Sequence, residues 1–115
     1  MEFKNGGEFI LANIAAEFWG TLGYMLAFNI TTSIDQIPLV LYSMVILTMK
    51  VSGGHLNPAI TFAVYLEKKK YRDNVIYAVV IIIAQISGAL LALIFGVFLR
   101  TSIPLENGKY YFVPS

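Results

Sequence analysis

The sequence contains no cysteine. That excludes disulfides, thiolate zinc sites and cysteine nucleophiles. Its one histidine, His55, cannot build a multi-histidine metal site by itself. Charge is also scarce, with 13% of the 115 residues being Asp, Glu, Lys or Arg. Soluble domains carry roughly 25%, so this chain is poorly equipped for a surface facing water. A net charge of +1 leaves neither a basic footprint for nucleic acid nor an acidic tail. No nucleophile–base pair, metal cluster or phosphate loop is in evidence, so neither an enzyme nor a cofactor is expected.

Apolar runs dominate instead: 57% of residues are hydrophobic and the mean hydropathy is +0.71. Residues 9–34 carry a single charge, Glu17. Residues 37–49 are apolar and closed by Lys50, and residues 75–99 carry no charge at all. About 20 apolar residues span a bilayer core, so the first and last runs read as spanning helices. The middle run is short: on hydropathy alone it reads either as a re-entrant or buried segment, or as a span helped by the turn before it and the loop after it. Pro38 suits the start of that second helix. The start of the chain mixes Glu2, Lys4 and Glu8, and the apolar run after it is too long for a cleaved leader. It reads as a retained first helix.

The basic residues set an orientation. With three crossings, Lys4, Lys50, Lys68, Lys69, Lys70 and Arg72 share one side, and Arg100 and Lys109 the other. This asymmetry places the N-terminus and residues 50–73 in the cytoplasm. Small residues recur every fourth position, at Ala12, Ala16 and Gly20 and at Ala84, Gly88, Ala92 and Gly96. Such ridges let membrane helices approach closely.

The chemistry lies in SGGHLNPAI, residues 52–60. Asn is a favoured helix cap and Pro a favoured first helical residue, so Asn57-Pro58 reads as a helix start. About ten helical residues follow, roughly 15 Å, or half the hydrocarbon core. Lys68, Lys69 and Lys70 would sit at the cytoplasmic surface, at the negative end of the helix dipole. Asn57 would then lie near the membrane midplane. Irregular backbone at that depth must be buried in protein or line a wet cavity. Gly53, Gly54, His55 and Leu56 are therefore candidates for a channel wall whose carbonyls accept from a polar solute. If the Asn57 oxygen caps the helix, its NH₂ remains as two fixed donors. Together with the positive helix end, these orient a water oxygen and repel cations.

Glu17 is a costly carboxylate within a membrane helix. It is expected to accept hydrogen bonds from the Gly53–His55 backbone or from the His55 ring, bracing the loop. His55 is expected to be a loop-bracing donor, and Gln85 to hydrogen-bond within the bundle. Residues 67–73 (EKKKYRD) read as a charged loop, with Asn74 capping the next helix. Trp19, Tyr24 and Phe62 read as lipid or packing contacts.

Three of these stretches resemble the major intrinsic proteins, the aquaporins and glycerol channels. SGGHLNPAIT (residues 52–61) is similar to their first signature loop, AEFWGT (residues 16–21) to a first-helix motif, and AQISGALLA (residues 84–92) to a third-helix pattern. The resemblance covers residues 9–100. It implies an all-α membrane protein, with three transmembrane helices plus one re-entrant half-helix forming the first repeat of an aquaporin-like fold. The expected layout is residues 1–8 as a cytoplasmic N-terminus and residues 9–100 as the hemi-domain. Within it lie spans at 9–34, 37–49 and 75–99 and a re-entrant loop and half-helix at 52–67. Residues 101–115 are then an extracytoplasmic tail or the start of a connecting loop.

The resemblance also implies roles. Asn57, Pro58 and Ala59 form one Asn-Pro-Ala motif, Asn57 donating to passing water or polyol, while Glu17 braces the loop. The expected function is passive passage of water or small neutral solutes such as glycerol. The expected partners are the lipid bilayer, a second repeat and, for a full-length chain, a homotetramer. This sequence holds one repeat and lacks the second Asn-Pro-Ala and the filter arginine. The second repeat is expected from further sequence or another polypeptide, since the basic asymmetry opposes an inverted second copy. The second helix is about one turn short, so no filter residue is assigned among residues 37–41. The alternative is a non-conducting truncated membrane protein that associates with full-length relatives.

Overall fold

The computed structural model describes residues 7–31, 33–69 and 71–102. Within them the chain forms four helices and no strand: α1 (Gly7–Ile30), α2 (Gln36–Met49), α3 (Pro58–Lys68) and α4 (Tyr71–Ser102). Expectations placed on residues 1–6 and 103–115 lie outside the described residues.

Ile10–Ile30 and Asn74–Leu99 are long and apolar enough to cross a membrane. Gln36–Met49 is a shorter apolar helix. At ~1.5 Å per residue its 14 residues rise about 21 Å, less than the ~30 Å core. Burial runs opposite to that of a water-soluble bundle. Asn13, Glu17, Thr21, Thr48, Ser52, Thr61 and Gln85 are buried, whereas Ile76 is 70% exposed, Leu47 69% and Trp19 64%. A polar interior inside an apolar coat suits hydrocarbon surroundings, where polar groups must be satisfied within the protein.

Helix α1 packs along α4, and α2 along α1. Gly88 sets the first contact: a Cβ there would lie 2.5 Å from the Phe18 carbonyl oxygen and 3.2 Å from Leu22 N. The two backbones therefore touch, as small residues permit. Ala84, Gly88, Ala92 and Gly96 all face inward, matching the expected ridge on this helix. The ridge expected on α1 does not form, because Ala12 is exposed. The buried line there is polar, running through Asn13, Glu17 and Thr21 at the same four-residue spacing. Asn13 and Glu17 find inside the bundle the hydrogen bonds that lipid does not offer.

Two element boundaries differ from the sequence reading. Helix α1 ends at Ile30 rather than at residue 34. The Thr31 hydroxyl lies 3.0 Å from the Ser33 carbonyl oxygen and 2.8 Å from Gln36 Oε1. Such local side-chain bonding competes with helix continuation. The charged stretch 67–73 is largely helical rather than a loop. Helix α3 runs on to Lys68, Lys69 closes it in a left-handed conformation (φ 54°), and α4 has begun by Tyr71. Glu, Lys and Arg are good helix formers, and a single left-handed residue suffices to turn the chain. Asn74 therefore lies inside α4 and is not its cap.

Candidate functional site

The loop between α2 and α3 is built from backbone rules first. Gly53 (φ 96°) and Gly54 (φ 65°) occupy conformations that L side chains avoid. A Cβ on Gly54 would also meet the Val45 carbonyl oxygen at 3.0 Å. The Gly53 N–H turns back to the Met49 carbonyl at 3.1 Å, so it does not reach Glu17.

Glu17 is fully buried and accepts four hydrogen bonds. Ser52 Oγ and His55 N donate to Oε1 at 2.6 and 3.0 Å. Leu56 N and Gln85 Nε2 donate to Oε2 at 2.7 and 2.8 Å. One carboxylate thus joins α1, the loop and α4. Gln85 Nε2 also donates to Thr61 Oγ1 at 2.8 Å, and that oxygen lies 3.1 Å from His55 Nδ1. Helix α3 is tied into the same ring. Gln85 Oε1 and Thr21 Oγ1 are buried without a hydrogen-bond partner among the described residues.

This clamp dictates where the carbonyls point. The peptide bonds here are trans. In a trans peptide the C=O points opposite to the N–H of the same unit. Since His55 N–H and Leu56 N–H aim at Glu17, the Gly54 and His55 carbonyls aim away from it. Leu56 turns its side chain away from the loop surface. Its side chain is 3% exposed and turns inward, at a positive φ of 52°. It fills a notch left by Gly20, where a Cβ would lie 2.5 Å from Leu56 Cδ2 and 2.9 Å from Thr48 Cγ2.

Asn57 follows, extended (φ −153°, ψ 126°) and exposed, as the N-cap of α3. Its Oδ1 accepts from Ala59 N at 2.9 Å, and Pro58 takes the first turn. With the oxygen engaged, the amide NH₂ is presented as donor on the exposed side. Ala59 is exposed beside it. Helix α3 rests on α4 but makes no comparable contact with α1 or α2. Ile60, Phe62 and Leu66 are left uncovered, 46–54% exposed.

On the other side of α3, a small open crevice lies between α3 and α4. It is lined by His55, Thr61, Val64, Tyr65, Lys68, Asn74, Tyr77 and Ala78. Deeper still, Asn13 Nδ2 donates to the Tyr77 hydroxyl at 3.0 Å, tying α1 to α4. No group of three or more His, Cys, Asp or Glu side chains suited to a metal occurs among the described residues.

The site thus brings Glu17, the 53–56 backbone and Asn57 together, with Gln85 as a direct ligand of the carboxylate. Ser52 and Thr61 were not singled out from sequence. The available signal was their place at either end of the SGGHLNPAIT stretch: Ser52 donates to Glu17, and Thr61 joins Gln85 to the His55 ring.

A family model described as Major intrinsic protein matches residues 9–113. Comparisons with curated proteins and with solved structures gave no match.

Proposed function

The chain belongs to the major intrinsic protein family, whose members are membrane channels rather than enzymes, and from that premise we propose that it forms the Asn-Pro-Ala-bearing half of a passive channel for water and small neutral solutes such as glycerol. The observation carrying this reading is the division of labour at Asn57. Its oxygen is spent on Ala59 N at 2.9 Å, which leaves the NH₂ as a fixed donor on the exposed side. The Gly54 and His55 carbonyls, turned from Glu17, supply acceptors beside it. A solute with both donor and acceptor capacity, such as water or a polyol, passes between them. A bare cation meets the positive end of α3.

In this reading α2 is the second of three crossings, between α1 and α4, and α3 re-enters from the cytoplasm. The N-terminus and residues 50–73 face the cytoplasm, and the uncovered face of α3 (Ile60, Phe62, Leu66) seats a second repeat. That repeat comes from further sequence or from a partner chain, and complete units assemble as a homotetramer. The same uncovered face supports a second reading, a non-conducting half that associates with complete relatives.

The test is osmotic flux of water and glycerol into proteoliposomes holding the chain together with a second repeat. Flux that falls on substitution of Asn57 supports the channel. Stable association without flux supports the second reading, and neither association nor flux contradicts both.

A further inference from the structure

The hydrogen-bond ring behind the loop has a direction. Glu17 accepts from four groups, so its carboxylate acts throughout as acceptor. The Gln85 amide must therefore turn Nε2 toward it. The other hydrogen of that NH₂ goes to Thr61 Oγ1 at 2.8 Å. Thr61 is 2% exposed, and its hydroxyl has two polar neighbours, Gln85 Nε2 and His55 Nδ1. The first is a donor. The hydroxyl hydrogen is left with one acceptor in reach, the ring nitrogen at 3.1 Å. A neutral imidazole offers one donor and one acceptor, and the bond made by one nitrogen selects the proton on the other.

We infer that Thr61 holds His55 as the neutral tautomer protonated at Nε2. Thr61 is thus a positioning residue, carrying the polarity set by Glu17 and Gln85 through to the histidine ring. His55 lines the crevice between α3 and α4. With Nδ1 engaged by Thr61, Nε2–H is the ring group free to face that space. It offers a donor to acceptor oxygens, as of water or a polyol, and no acceptor to an incoming donor. The tautomer follows from the hydrogen-bond ring and not from channel function. Only its consequence for a passing solute rests on the function proposed above.

The chain's single histidine makes this directly observable. Nitrogen-15 labelling of histidine gives the signals of one ring, recorded on the full chain in lipid bilayers at neutral pH. The expected spectrum has a protonated Nε2 and an unprotonated Nδ1. Thr61→Ser keeps the hydroxyl and preserves it. Thr61→Val removes the hydroxyl, and signal from the Nδ1-protonated form appears. A wild-type spectrum with Nδ1 protonated, or with both nitrogens protonated, overturns the inference. So does an unchanged spectrum in Thr61→Val. If Thr61→Val fails to fold, the wild-type and Thr61→Ser spectra still decide the matter. Because flux does not enter the readout, loss of the channel reading leaves this result intact, and the reverse.

Discussion

Leu56 donates its backbone N–H to Glu17 Oε2 at 2.7 Å, across 39 positions of sequence. The bond joins a transmembrane carboxylate to the residue just before Asn57. Through it α1 helps set where α3 begins. His55 N, Ser52 Oγ and Gln85 Nε2 complete the same coordination, so the irregular loop is anchored by side chains from two other elements.

Glu17→Gln tests this anchor. The substituted amide brings a donor to a site where all four neighbours donate. At least one buried donor is left unpaired, at about 1–3 kcal/mol each. The expected result is a lowered unfolding midpoint in detergent, followed through the single Trp19. A midpoint equal to wild type would show that the loop does not depend on this carboxylate.

Gly88 and Gly20 should respond to a methyl group in different degrees. At Gly88 the added Cβ meets the Phe18 backbone oxygen at 2.5 Å, and neither helix can yield locally. At Gly20 it meets the end of the Leu56 side chain, which has some freedom to move. Overpacking of this kind costs about 1–3 kcal/mol. Gly88→Ala is expected at or above the top of that range and Gly20→Ala near the bottom. Chemical unfolding of both variants ranks them, and the reverse order would contradict the packing described.

The orientation is open to a labelling test because the chain has no cysteine of its own. Glu67 is exposed near the end of α3. A membrane-impermeant maleimide should modify Glu67→Cys only when the cytoplasmic face is accessible. Labelling from the opposite face would reverse the assigned sidedness.

Much of the site was legible because its chemistry is local. Asn-Pro at a helix start follows from capping alone, and its place between two apolar runs identifies a half-length helix. Glu17 stood out as the one charge in its run. The partners of Glu17 were less legible. A glycine loop can turn its N–H groups in several ways, and which ones reach the carboxylate depends on left-handed Leu56, a conformation no sequence rule assigns to leucine. The 67–73 stretch misled because charge density suggested a loop, although Glu, Lys and Arg are also helix formers. The α1 ridge misled because spacing alone does not say which of two neighbouring lines is buried. Hydrogen-bonding demand in lipid selected Asn13 and Glu17 over Ala12, and Thr21 follows on the same line.

The central claim is that Asn57 presents its amide hydrogens to a permeating solute. Asn57→Asp separates this role from capping, since a carboxylate oxygen caps as well as an amide oxygen, and stability should stay within about 0.5 kcal/mol. The decisive measurement is stopped-flow osmotic water flux through proteoliposomes carrying this variant or wild type, each with the second repeat. The account predicts a folded variant with strongly reduced water flux. Flux equal to wild type, in a variant of equal stability, would contradict it.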